Sequence, residues 1–325
     1  MDSKEKVAIS EYLKYADKLF DAVKAKFNPV MSEKVAFVFN ISDSYFLELK
    51  ENVENLLLNT LKLNEVETDS SNLYQQLDKN LDNIINITSN GAILPKKENE
   101  TEVNNIQRLI IDLFESHDGD ALFEFGQCPF NLRVSKNNRL NDLTIHPFAS
   151  TKYHTDVWAG EPIENINFLI PIYMEASYMN LEIMEASKAT EFNTLVKATD
   201  YDSARPTVKL SDPYNLQLMP GTIGVLDPRA IHRTVFEPLN TIRVSIDFRF
   251  RLKLPGYLRE IILDAFPGKH VYYVPYKIWR KVGRSKKYLL NESFLEFVDG
   301  INSQKKDLNN HRYNEAFSPQ FADVV

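Results

Sequence analysis

The chain has 325 residues, 43% hydrophobic and 26% charged, with 38 Lys and Arg against 45 Asp and Glu for a net charge of −7. That balance suits a soluble globular protein with a sizeable core and argues against general nucleic-acid binding, which needs excess cations to neutralise phosphates. A lone cysteine, Cys128, excludes an intrachain disulfide and a cysteine-built zinc site, while the polar first ten residues and the lack of a long apolar run argue against secretion or membrane insertion, so a cytoplasmic protein is expected.

The first third has helical periodicity. Ile9, Leu13, Ala16, Phe20, Val23 and Phe27 recur at spacings of four and three, which puts one apolar stripe on one helix that stops before Pro29. A second helix is predicted from about Ser44 to Leu63. A third follows Ser71 and carries Leu73, Leu77, Leu81, Ile84 and Ile85. A fourth follows Thr101 with Val103, Ile106, Ile110, Leu113 and Phe114. All four stripes are expected to face the core. The polar stretch 88–102, with Gly91 and Pro95, reads as a loop.

From about Ala121 to Leu252 the period changes to two. Ile166, Phe168, Ile170 and Ile172 share one strand face. Residues 241–251 (TIRVSIDFRFR) alternate strictly, with Arg243, Ser245, Asp247, Arg249 and Arg251 opposite Ile242, Val244, Ile246, Phe248 and Phe250. Several short strands with turn punctuation such as Pro220-Gly221 predict an antiparallel sandwich or barrel. The tail after Pro255 returns to mixed or helical character.

Chemistry concentrates in the β-rich segment. His154-Thr155-Asp156 is an H-x-D, weak by itself. His232 follows a candidate strand, and Arg243-Val244-Ser245 lies eleven residues further on the next one. Two imidazoles and one carboxylate can occupy one face of an octahedral metal and leave three positions open. A guanidinium fork beside a hydroxyl, at i and i+2 on a strand face, is a good carboxylate receptor. It could hold the far end of a dicarboxylate whose near end chelates the metal.

In that order, His154-x-Asp156, His232 and Arg243-x-Ser245 resemble the Fe(II)/2-oxoglutarate-dependent dioxygenases. The subgroup most resembled is the streptomycin-biosynthesis-type oxygenases related to phytanoyl-CoA hydroxylases. Asn167-Phe168 with Pro171, Asn180-x4-Glu185-Ala186-Ser187 and the run from Arg243 to Arg249 carry that likeness, which covers about residues 120–252. The resemblance implies a double-stranded β-helix (jelly-roll, cupin-like) core at 119–254; with a helical region at 1–118 packing on it and a helical or irregular extension at 255–325, both read from their own pattern and resembling no family, the chain is expected to be α+β. The resemblance implies Fe(2+) on His154, Asp156 and His232. It implies 2-oxoglutarate on Arg243 and Ser245, with Asn167 as a further contact, and O2 as co-substrate. The expected outcome is hydroxylation of an unactivated C–H bond of a small metabolite in a biosynthetic pathway, amino- or acyl-bearing, with succinate and CO2 as co-products. Desaturation or cyclisation on the same Fe(IV)-oxo oxidant is the alternative. The related radical halogenases have Gly or Ala at the carboxylate position, so Asp156 argues against halogenation.

Other residues have weaker claims. His146 is a rival ligand, better suited to packing beside Pro147-Phe148. Asn165 shares a strand face with Asn167 and has an equal claim to a polar contact. Tyr153 and Trp158 flank the H-x-D and could wall a pocket or simply pack. Arg133 could meet an acidic substrate. Between Lys269 and Lys287 five Lys and two Arg mix with Tyr272, Tyr273, Tyr276 and Trp279 without an acid. That segment is expected to be solvated or packing, with recognition of an anionic small molecule second and nucleic acid last. Two rival classes stand beside the oxygenase. One is a metal-binding jelly-roll module without 2-oxoglutarate turnover. The other is an interaction protein that uses this basic segment.

Overall fold

The computed structural model describes residues 1–84, 87, 91–93, 97–127, 130–136, 148–175, 179–235, 242–266, 273–277, 279 and 280. Cys128, His146 and most of the basic segment at 269–287 lie outside the described residues.

The apolar stripe at the N-terminus is carried by two helices, α1 (Ser3–Leu13) and α2 (Ala16–Phe27), where one is predicted. The stripe persists because the joint at Lys14 and Tyr15 keeps Ile9, Ala16, Phe20, Val23 and Phe27 all buried. Asp2 caps α1 by accepting from the Glu5 amide at 2.9 Å, and Asn28 ends α2 in the left-handed conformation. Helix α3 (Asp43–Leu63) matches its predicted range within a residue, with Ser42 as N-cap. Helix α4 (Leu73–Asn80) is shorter than its stripe, and α5 (Glu100–Ser116) buries the predicted Val103, Ile106, Ile110 and Phe114.

The segment between the first two predicted helices, where periodicity predicts nothing, holds β1 (Met31–Ser32) and β2 (Ala36–Asn40). Downstream come β3 (Ala92–Ile93), inside the predicted loop, then β4 (Phe123–Gln127) and β5 (Asn131–Lys136). Strands β6 (Asn165–Met174), β7 (Met179–Met184), β8 (Tyr214–Leu218) and β9 (Thr222–Leu226) follow. The last are β10 (Ile231–Val235), β11 (Ile242–Leu252) and β12 (Tyr273–Pro275), with helix α6 (Gly256–Ala265) between the final two. The described pairings make an antiparallel nine-stranded sheet in the order β1-β2-β9-β6-β11-β4-β12, with β5 also on β11 and β3 on β5, and a three-stranded sheet β10-β7-β8.

Strand β11 is the backbone of the large sheet, paired with β6 on one side and with β5 and β4 on the other. Its apolar face meets the helices: Phe248 and Phe250 pack edge-on or tilted against Phe114 of α5, at ring separations of 5.5 and 4.6 Å. Its polar face is buried too. Ser245, Asp247, Arg249 and Arg251 are each at most 9% exposed. Alternation in an antiparallel strand usually marks one face against water. Here the second face turns inward, where guanidinium and carboxylate groups pair.

The two sheets meet through a second apolar cluster of Ala36, Val38 and Leu226 from the large sheet with Leu181, Leu216 and Leu218 from the small one. Gly224 permits that approach: a Cβ there would lie 2.7 Å from the Leu218 side chain. Among the described residues no helix is long and apolar enough to cross a membrane. Tyr276 and Trp279, from the basic segment, are buried at 2% and 1%, stack on each other and meet Phe250 tilted and edge-on. These aromatic members therefore serve packing.

Candidate metal centre

His154 and His232 lie 78 positions apart, yet their backbones form an antiparallel bridge. The His154 amide donates to the His232 carbonyl at 3.0 Å, and the His232 amide returns a bond to His154 at 2.8 Å. This bridge ties the H-x-D loop to the first residues of β10. Just upstream, Arg229 is 1% exposed and forks onto both carboxylate oxygens of Asp227 at 2.7 and 2.9 Å. It also reaches Asp17 of α2 at 2.5 Å and Glu191 at 3.1 Å. The loop that delivers His232 is thus anchored to the helical layer by a buried charge-assisted network.

Each imidazole is oriented through its Nδ1. That of His154 lies 2.7 Å from the Lys152 carbonyl oxygen, and that of His232 lies 3.1 Å from the Ala230 carbonyl oxygen. A carbonyl only accepts, so both Nδ1 atoms donate and both Nε2 lone pairs are left for a ligand. The rings stand 4.3 Å apart, and Tyr201 stacks on His154 at 4.4 Å and 15°. Burial, followed by the neighbouring His232, pushes His154 down to about 3. The ring is neutral, as a metal ligand must be.

The carboxylate of Asp156 is held by one oxygen. Its Oδ2 accepts from Asn167 Nδ2 and from Arg249 Nε, each at 3.0 Å, while Oδ1 points 4.0 Å from His154 Nε2. Asn167 and Arg249 are cross-strand partners on β6 and β11, so one rung of the sheet supplies both donors. Burial alone would push Asp156 up; Arg249, His232 and His154 together outweigh it and hold the carboxyl well below its usual range. Ligand atoms of His154, Asp156 and His232 all lie within 4.8 Å of one another, so the three could hold a metal ion. A small pocket opens beside them, lined in part by Asp156, Val157, Asn167, Asp227, Ala230 and His232.

Further along the same face of β11, Ser245 is fully buried and its Oγ meets no partner among the described residues. Opposite it on β5 stands Arg133, whose Nε is paired with Asp247; Asn131 also donates to Asp247, at 2.5 Å. Burial and then the nearby charge of Arg133 push Arg243 down to about 10, with Asp247 opposing. Asn165 donates to Glu161 at 3.0 Å and to Tyr273. Tyr153 bonds Glu182 at 2.5 Å, and Trp158 is fully buried with its Nε1 on the Asn193 carbonyl. Arg249 escapes sequence reasoning as a site residue. The available signal is its place on the same strand face as Arg243 and Ser245.

One consequence concerns acid. An unfolded His154 takes a proton from about pH 6.5 downward, whereas the folded one resists until about 3. Between those values the unfolded state binds more protons, so the metal-free protein is expected to lose stability as pH falls, by up to about 1.4 kcal/mol per pH unit from this group. Thermal melts from pH 7 to 4 should show the slope, and His154→Gln should flatten it. Identical profiles for the two proteins would contradict the assignment.

No protein-family model matches the chain, and no curated protein matches it. Solved structures similar to it are distant. EvdMO1 is matched at 14% identity and a TM-score of 0.37, over 70% of this chain and 49% of that one, so the chain spans about half of its length. SnoN, a non-haem α-ketoglutarate-dependent epimerase from nogalamycin biosynthesis, is matched at 11% identity and 0.39, over 74% and 88%. An N-substituted L-amino acid dioxygenase from Burkholderia ambifaria AMMD is matched at 11% identity and 0.33, over 72% and 91%. At this distance the likeness decides nothing about this chain, whose reading rests on its own residues.

Proposed function

We propose that this chain is a non-haem Fe(II)/2-oxoglutarate-dependent oxygenase that hydroxylates a C–H bond of a small metabolite. Its core would be a double-stranded β-helix at 119–254, with the helical region 1–118 packed on it and an extension at 255–325. The observation that carries this reading is the convergence of His154, Asp156 and His232, each oriented through its other polar atom. Two neutral imidazoles and one carboxylate are the donor set of a ferrous site with open positions. Bound iron with 2-oxoglutarate and O2 would supply the oxidising chemistry, with succinate and CO2 as products.

The protein's share is to bind, orient and exclude. His154 and His232 would offer Nε2, and Asp156 would offer Oδ1, while Asn167 and Arg249 restrain Oδ2. Arg243 and Ser245 would hold the far carboxylate of 2-oxoglutarate. The unpartnered Ser245 hydroxyl fits that role, because a buried orphan donor is costly until a ligand satisfies it. Tyr201 and the buried Trp158 wall the histidine side against water.

The test is release of succinate from 2-oxoglutarate by the full chain with Fe(II) and ascorbate, followed by a metabolite screen for the gain of one oxygen atom. Succinate formation that requires Fe(II) is the expected result. If none forms, and 2-oxoglutarate leaves the visible spectrum of the anaerobic iron-loaded protein unchanged, the oxygenase reading fails and a metal-binding module without turnover replaces it.

A further inference from the structure

We propose that Arg249 holds down the affinity of this centre for a lone divalent ion, so that metal and a dicarboxylate anion load as a mutually stabilising pair. The inference rests on the function proposed above and concerns what Arg249 adds to it. The three ligands bring a single negative charge, on Asp156. Arg249 is 9% exposed, always protonated, and places Nε 3.0 Å from the Asp156 oxygen that does not face His154. The ligand set and this contact therefore sum to zero charge.

Charges pair in the wider interior as well. Among the described residues, Asp247 pairs with Arg133 and lies 3.8 Å from Arg249 Nη1, Arg249 holds Asp156, and Arg251 is separately paired with Glu164. A divalent ion alone adds two positive charges to this buried space. A dicarboxylate alone adds two negative ones, and the pair together leaves the starting charge unchanged. Charge taken from water without compensation is expensive, so the second ligand should bind far more tightly than the first. At an effective dielectric constant of about 20, a unit cation roughly 6 Å from a divalent ion weakens its binding on the order of 10^4-fold before screening, so removing that cation should strengthen binding by about 100-fold or more.

The experiment measures Mn2+ binding to the full chain by electron paramagnetic resonance of free Mn2+. It is run with no anion, with 2-oxoglutarate, and with pyruvate, which keeps the chelating oxo-acid but lacks the far carboxylate. For the wild type, 2-oxoglutarate should tighten Mn2+ binding on the order of 10- to 100-fold and pyruvate by clearly less. Arg249→Met and Arg249→Gln should bind Mn2+ alone more tightly than the wild type, and Arg249→Lys should match the wild type because the charge is kept. Mn2+ binding in Arg249→Met or Arg249→Gln that is no tighter, with native circular dichroism, overturns the proposal. So does Arg249→Lys behaving like Arg249→Met, or wild-type binding indifferent to 2-oxoglutarate, which decides the matter even if the Arg249 variants fail to fold. Failure of the underlying function looks different: Mn2+ affinity would then be unchanged in His232→Ala, placing the ion elsewhere.

Discussion

His232→Ala is expected to abolish 2-oxoglutarate turnover and to weaken Fe(II) or Mn2+ binding by well over 100-fold. Losing a residue that merely orients a metal ligand typically costs 10- to 100-fold, and losing a ligand should cost more. His232 gives a cleaner test than its two partners. Asp156→Ala would strand Arg249, which is 9% exposed and bonded to that carboxylate, and an uncompensated buried charge costs about 3–5 kcal/mol of stability. His154→Ala would leave Tyr201 without the ring it stacks on. His232→Ala strands no charge: the ring's bond to the Ala230 carbonyl is lost, but the amide still returns the bond to the His154 carbonyl, because that bond uses backbone only. The variant should fold, with a thermal midpoint near that of the metal-free wild type. Calorimetric titration with Mn2+ measures the loss, and retention of affinity within threefold would show that the three residues do not form one centre.

What the sequence discloses and what it conceals follow from period and burial. Helices α3 and α5 are legible because each presents one apolar stripe to one core, and β6 and β11 because their side chains alternate. Strand β2 is not. Its Ala36-Phe37-Val38-Phe39 is buried on both faces, and a short continuous apolar run carries no period to separate strand from helix. The H-x-D is visible, but nothing local in the chain links it to a histidine 78 positions away. That link is made by a two-residue backbone bridge, and only the order of motifs hinted at it. Arg249 was legible as part of an alternating strand and illegible as a clamp on Asp156, because alternation does not say whether the polar face meets water or a second sheet. The same ambiguity covers Arg243 and Ser245, of which Ser245 proves fully buried and Arg243 half-buried.

Arg243→Met is expected to raise the 2-oxoglutarate concentration needed for half-maximal succinate release by about 30-fold or more, the effect of roughly 2 kcal/mol or above for truncating one partner of a buried charge pair. In the structure burial and the charge of Arg133 act against this guanidinium, with Asp247 opposing them. A carboxylate arriving between Arg243 and Arg133 would relieve both, and it would also satisfy the Ser245 hydroxyl. Arg243→Lys keeps the charge but loses the planar fork, so its increase should be smaller. Ser245→Ala removes one neutral hydrogen bond, worth about 1 kcal/mol, and should raise the requirement only about fivefold. This graded order separates co-substrate binding from general disruption, since a collapsed strand would impair all three alike. Mn2+ binding without anion supplies the second check. Arg243 lies six positions along β11 from Arg249, the residue that holds Asp156, so the affinity of Arg243→Met for Mn2+ alone should stay within a few-fold of wild type. An unaltered 2-oxoglutarate requirement in Arg243→Met would remove the carboxylate receptor from this face of β11, and with it the reason for the buried, unpartnered hydroxyl beside it.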